Sequence, residues 1–419
     1  MTSVKILAGV LTGCGVALGL AWSAQADTGD VKWETHVVVE RSGDHCSDDP
    51  NCMNRYHPAI PPVAHANPGD LITLSTRDAV DSNFTLDSVD ADVSAIDLNL
   101  VHPMTGPVYI NGSKRGDVLA VTLIDIEPDE YGWTFIVPGF GFLRDLYPDP
   151  YITNWRLSRT HAESDQMPGI EVPMAAFMGS VGVLVGDPEI DAILEREGGL
   201  AAAGGIALMP EPTGAQPAAI CGPEGSHKER CLRTIPPREN GGNMDVRQMQ
   251  IGTTLLLPCF VDGCGLFIGD VHYAQGDGEV SGTAIEMGAR VSVRTAIRKG
   301  QGAFIKWPHF EGGAQLKAIE PSSFYATTGV PVKKPGFVPP PHQYLSDKII
   351  DLGQLNEDLT MAARNALIDI IDYMVREKGL TREQAYMLAS VAVDLRIGQV
   401  VDLPNYIVSA ILNLDVFVE

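Results

Sequence analysis

Positive charge is scarce in this 419-residue chain: 30 Lys and Arg stand against 53 Asp and Glu, a net charge of −23. Nucleic acid and anionic membrane surfaces are both gripped by clustered Lys and Arg, so neither is an expected partner. Beyond the first residues no run is apolar enough to span a bilayer. Several familiar active-site signatures are missing too. There is no G-x-S-x-G nucleophile elbow, no H-E-x-x-H zinc helix, and no phosphate-loop or dinucleotide fingerprint. The one Ser-Ser pair, Ser322-Ser323, follows Pro321 rather than a Gly-rich run. Long helical periods are few, whereas Gly (43) and Pro (29) are plentiful, which favours many short strands joined by tight turns.

What is present begins with an export signal. Lys5 precedes an apolar stretch, Ile6 to Trp22, and Ala24-Gln25-Ala26 offers a small-residue cleavage site before Asp27. Leu11-Thr12-Gly13-Cys14 is a competing lipoprotein box, but the apolar run continues past Cys14. The mature protein is expected outside the cytoplasm, periplasmic or secreted. Cysteine usage agrees with this. Six cysteines remain after cleavage and fall into three close pairs, so disulfides Cys46–Cys52, Cys221–Cys231 and Cys259–Cys264 are expected. A zinc site is the rival use of these residues, although none of the spacings is C-x2-C.

Past the signal (1–26), the chain divides into a β-rich stretch 27–199, a second β-rich stretch 200–345, and a helical C-terminal part 346–419. Leu71 to Thr76 alternates as a strand does, and Val118 to Ile126 is a long β-type run after the Gly116-Asp117 turn. Pro138 to Pro150 reads as a loop, and Pro335 to Pro341 as a rigid connector. Leu359, Ala363, Ala366, Leu367, Ile370 and Met374 recur at helical spacing, with Gly379 as a stop. Thr381 with Gln384 is a capping box opening a second helix to about Arg396.

The densest polar segment is Gly269 to Glu279, flanked by strand-like residues. Asp277-Gly278 predicts a two-residue hairpin, because such turns need positive φ. His272 would then face Thr283, and Asp270 would face Ile285. Alternation along the strands would put Asp270, His272 and Glu279 on one face, with Tyr273 and Gln275 on the other, or in the turn mouth if the register differs. Two carboxylates and an imidazole so gathered could bind a cation or divide acid and base roles, whereas a solvated charged turn is the plainer reading. Three further segments could supply polar groups: Arg233 to Asp245, Thr76 to Asp81, and His102 to Pro107. A firm turn, a salt bridge and an ordinary loop histidine are their respective plain readings.

Together these segments resemble the acetamidase/formamidase family. Thr76-Arg77-Asp78, Thr105 to Leu119, Pro236 to Asp245, Gly269 to Glu286 and Val393 to Arg396 match its motifs in order, over roughly Leu71 to Asn405. Ile110 and Ser113 stand where the family has Val and Ala. The resemblance implies a mainly β, sandwich-like fold with a smaller α+β part and C-terminal helices. It implies hydrolysis of small linear carboxamides to acid and ammonia, by water activated by a metal or a carboxylate. On that basis Asp78, His102, Asp245 and His272 are candidate ligands of a divalent metal, zinc or calcium. Glu279 is the candidate base, with His272, Asp270 and Asp277 beside it. The expected partner is a small amide, and the sequence leaves a homo-oligomer open. A lactam or cyclic-imide hydrolase, and a noncatalytic periplasmic binder of small ligands, are the rival functions.

Overall fold

The computed structural model describes residues 35–81 and 83–418. The expected export signal, its cleavage site and Cys14 lie outside the described residues. Among them, fifteen strands join in one mostly antiparallel sheet. The strands that matter for function are β1 (Leu71–Thr76), β2 (Met104–Ile110), β3 (Val118–Ile136), β4 (Tyr151–Leu157) and β5 (Phe177–Val183). They continue with β6 (Gly241–Asn243), β7 (Thr254–Pro258), β8 (Leu266–His272) and β9 (Glu286–Arg298). Neighbours run β4-β3-β9-β8-β5-β6. β3 also pairs with β7, so strands from 27–199 and 200–345 share this sheet. The long β3–β9 ladder shifts register after Met287 and again after Ser292. Such bulges bend a strand, which lets the sheet curve around its core. That core takes Ile72, Val121, Val181, Ile268 and Val291 from the strands, with Leu367 and Leu388 from the C-terminal helices.

Strands β5 and β8 are buried along their whole lengths. A doubly covered strand is normally a continuous apolar run. Asp270 and His272 therefore stand out in β8, since a buried ionisable group must find partners or change its protonation.

The C-terminal part is α+β. Helix α1 (Leu359–Lys378) starts where the Asp358 side chain accepts from Met361 N at 2.6 Å, and it stops at Gly379 with φ +68°. Helix α2 (Arg382–Ala392) carries the Thr381/Gln384 capping box. It ends four residues before the expected Arg396. Val393–Gln399 instead forms a strand in a three-stranded sheet, between the helix and Ile407–Asn413, because Val393 and the alternating residues after it find backbone partners there. Phe324–Gly329 completes that sheet.

The cysteines pair as Cys46–Cys52, Cys221–Cys231 and Cys259–Cys264. Each closes a short loop, and loops of this size are stabilised by roughly 2–3 kcal/mol apiece in the chain-entropy account. Alkylation of nonreduced, natively produced protein followed by peptide mass mapping should leave all six unlabelled. Alkylated Cys46, Cys221 or Cys259 would show the pairs to be open.

Candidate active site

The site grows out of the end of β8. His272 closes that strand and lies opposite Glu286, the first residue of β9, on one side and Phe177 of β5 on the other. The backbone pairing continues with Tyr273 N donating to Ile285 O and Ile285 N donating to Ala274 O. The expected pairing of His272 with Thr283 is thus displaced by three residues. Asp277 and Gly278 do occupy the centre of a turn, closed by Glu279 N donating to Gly276 O at 3.2 Å. Only Gly278 of the two has positive φ, +111°. That is the pattern of a type II turn inside a longer loop, and not of the primed turn a tight hairpin needs. The loop, not the strand alternation, carries Glu279 back over His272.

Three carboxylates reach the ring nitrogen Nε2 of His272: Glu286 at 3.3 Å, Asp270 at 3.6 Å and Asp245 at 3.9 Å. Ligand atoms of Asp245, His272 and Glu279 lie within 4.8 Å of one another, as do those of Asp270, His272 and Glu286. Asp245, Asp270 and Glu279 all hold left-handed backbone, with φ of +52°, +51° and +43°. Non-glycine residues there store strain of about 1–3 kcal/mol each, which persists where surrounding contacts over-determine it. Those contacts are visible. Met244 N and Asp245 N both donate to Gly179 O of β5. Ser180 Oγ reaches Asp270 Oδ2 at 3.1 Å. The Glu279 loop is fastened to the C-terminal part by Gly276 N to Ser390 O, Leu395 N to Asp277 O, and Asp277 N to Asp394 Oδ1. Asp394 also takes the Arg247 guanidinium, so one buried carboxylate ties the Asp245 segment to the Glu279 loop.

Behind the ring, His272 Nδ1 meets Gln275 Oε1 at 2.8 Å, and Gln275 Nε2 donates to Asp245 O at 2.8 Å. Phe177 stands edge-on to the imidazole, with centroids 5.1 Å apart. In front of the ring the wall is bare backbone. A Cβ on Gly179 would lie 2.6 Å from His272 Nε2 and 2.6 Å from Asp270 O. Glycine inside a strand often marks close approach of another group, and here it keeps open the space before Nε2.

The electrostatics follow from crowding. Burial, and then the Glu279 charge, raise the Asp245 carboxyl well above the usual range. Burial pushes Glu279 up to about 8, and Glu286 up to about 7, with Asp270 adding to both shifts. Burial would lower His272, but Glu286 and Asp270 outweigh it and hold the imidazole protonated well above its ordinary value. Burial would likewise raise Asp270, yet His102 and His272 keep it below the usual carboxylate range. Burial lowers His102. Carboxylates packed this closely cannot all ionise unless protons or a cation compensate.

Three buried atoms at this centre lack any hydrogen-bond partner: His272 Nε2, Glu286 Oε2 and Asp245 Oδ1. Those unpartnered nitrogen and oxygen atoms and the cradle at Gly179 fit a small cation. One imidazole nitrogen among carboxylate oxygens suits zinc better than calcium, which takes oxygen only. A consequence for stability can be read from the signs. Glu279 and Glu286 have folded values above their unfolded ones, so the cation-free protein binds more protons folded than unfolded. Its stability is fullest below about pH 4.5 for these groups and is lost as pH rises through about 7 to 8. Melting of chelated protein should therefore fall between pH 5 and 8.5, and zinc should restore it most at the upper end. A flat profile for the chelated protein would contradict this.

Of the residues singled out in the sequence, His272, Asp270, Asp245 and Glu279 come together here. His102 stands at the rim, with Nε2 3.9 Å from Asp270 Oδ2 and its backbone N donating to Thr234 Oγ1. Asp78 and Asp277 belong to neither group of converging ligands among the described residues. Asp78 Oδ1 accepts from Val80 N at 2.9 Å, so it braces its own turn. Asp277 accepts from Gln248 Nε2 at 2.7 Å and shapes the loop, not the centre. Gln275, expected on the opposite face, folds back behind His272. Glu286, Gly179 and Ser180 were missed. Glu286 left a signal, since a lone carboxylate inside the apolar run Thr283-Ala284-Ile285-Glu286-Met287 must be partnered when the strand is buried.

Residues 39–419 match the model of the Acetamidase/Formamidase family. The chain is similar to an acetamidase of Mycolicibacterium smegmatis, 31% identical over 80% of this chain and 84% of that protein. It is similar to a formamidase of Methylophilus methylotrophus, 28% identical over 92% and 94%. Among solved structures, a gamma lactamase from Delftia acidovorans superposes with a TM-score of 0.81 at 30% identity, covering 90% of this chain and 93% of that one.

Proposed function

The chain belongs to the acetamidase/formamidase family, and on that premise we propose that it hydrolyses the C–N bond of small linear carboxamides, with the cluster around His272 as its active centre. The observation that carries this reading is the meeting of Asp245, Asp270, Glu279 and Glu286 on one imidazole, with one buried nitrogen and two buried carboxylate oxygens left without hydrogen-bond partners. His272 Nε2 with Asp245, Glu286 and Asp270 would hold a divalent cation of the zinc class. When bound, it would polarise an amide carbonyl and acidify water. The chain's own groups supply the rest. Glu279 is partly exposed and poised near neutrality. It takes the proton from the attacking water as oxygen bonds to the amide carbon. It returns that proton to nitrogen as the C–N bond breaks, releasing acid and ammonia. Asp270 stays ionised beside His272, while Phe177 and the buried strands exclude bulk water from one side.

The three disulfides speak for an oxidising compartment, so export is part of this reading. Similarity to the lactamase favours one second reading, ring opening of a small lactam by the same centre. Ammonia release from formamide and acetamide, set against ring opening of a γ-lactam, separates the two. Each should be run with and without chelator and zinc. Amide turnover that chelation abolishes and zinc restores is the expected result. Turnover confined to the lactam selects the second reading. Turnover of neither by folded, zinc-replete protein would leave a noncatalytic binder of small ligands.

A further inference from the structure

We propose that Gln275 is a positioning residue that fixes the hydrogen of His272 on Nδ1 and so keeps Nε2 as the nitrogen turned to the reacting space. The inference deepens the reading of His272 as a working group and rests on it. The argument is one of donors and acceptors. A backbone carbonyl only accepts, so the contact of Gln275 with Asp245 O at 2.8 Å must be made by its amide nitrogen. Its amide oxygen therefore faces His272 Nδ1, also at 2.8 Å, and an oxygen there requires hydrogen on Nδ1. Turning the amide over would set oxygen against oxygen at Asp245. Nδ1–H is thus the only consistent state on that side of the ring.

The consequence lies at the other nitrogen. Nε2 has no hydrogen-bond partner and faces Glu286, Asp270 and Asp245 across the space left open by Gly179. In the cation-free protein the surrounding carboxylates keep hydrogen on Nε2 as well. With Nδ1 committed, it is the Nε2 proton that leaves when His272 becomes neutral, and the lone pair so freed is the one a cation in that space needs. The same side chain also braces the carbonyl of Asp245, whose backbone is left-handed. Gln275 is itself buried and lies between this centre and a cavity of about 130 Å³ lined by Arg247, Ala274 and Asp394. It closes the centre from behind without touching the reacting atoms.

Full-length protein labelled with ¹⁵N-histidine tests this, with the His272 signals assigned by their loss in His272→Asn. In wild-type protein Nδ1 should carry a slowly exchanging proton, with and without added zinc. Gln275→Leu keeps the volume and removes both contacts. It should let that proton exchange rapidly, and should lower kcat toward acetamide about 10- to 100-fold with little change in KM, the usual cost of losing a partner behind a ligand histidine. Gln275→Glu retains an acceptor for Nδ1–H and opposes Asp245 O, so it should keep the protected proton while still losing turnover. If Gln275→Leu folds and its Nδ1 proton remains protected, or if wild-type Nδ1 bears no proton, the proposal is overturned. The resonance experiment stands whether or not any amide is turned over, so its failure is distinguishable from failure of the functional reading.

Discussion

Replacing Glu279 by Gln is expected to lower kcat by about 10³-fold, within the range that a positioned acid–base group contributes, and to leave KM within a few-fold of wild type. Glutamine keeps the volume, and the loop is fastened by backbone bonds from Gly276 and Leu395, so its φ of +43° at residue 279 should persist. What goes is the capacity to accept and return a proton. Stability should move the other way. The folded protein holds the Glu279 carboxyl up at about 8, so above pH 4.5 the fold resists its ionisation. A neutral amide has no such cost, and the variant should melt at or above the wild-type temperature at pH 8. Steady-state kinetics and thermal melts on one preparation read both effects. Near-normal kcat in a folded variant would move the proton-transfer role to Asp245 or Glu286.

The sequence made some of this plain for physical reasons that differ by element. The cap at Thr381–Gln384 and the stop at Gly379 are local chemistry, so the helices between them were legible. The disulfides followed from even number and close spacing. The convergence of Asp270, His272 and Glu279 was foreseen through an incorrect device. A tight hairpin would have paired His272 with Thr283, whereas the strand pairs it with Glu286 and a long loop returns Glu279. Turn chemistry at Asp277-Gly278 was read correctly as a turn, but type II and primed turns share a positive φ at glycine, and only the partner strand decides between them. Asp277 was drawn in by its place in the polar segment and Asp78 by the family resemblance, and neither reports where a side chain finds its hydrogen bonds. Glycine was the hardest residue to read. Gly179 matters through the side chain it lacks, and that is visible only once His272 stands opposite.

Gly179→Ala is accordingly expected to cost turnover about 10²-fold or more, since displacing reacting groups by even an ångström has that effect. The added methyl would sit 2.6 Å from His272 Nε2, in the space that a cation or water needs. It would also press on Asp270 O at 2.6 Å, so overpacking should destabilise the fold by about 1–3 kcal/mol. Loss of stability alone could mimic loss of function, and the same strand supplies the control. At Gly182 a Cβ would meet Asn240 O at 2.6 Å and the Phe267 ring at 2.7 Å, comparable crowding facing away from His272. Gly182→Ala should therefore melt lower to a similar degree while retaining most of its turnover at a temperature where both variants are folded. Zinc affinity, measured by competition with a chromophoric chelator, should fall for Gly179→Ala and hold for Gly182→Ala. Equal losses of turnover and zinc in both would mean that the β5 strand acts only through packing. Full activity in folded Gly179→Ala would place the reacting space elsewhere than in front of Nε2.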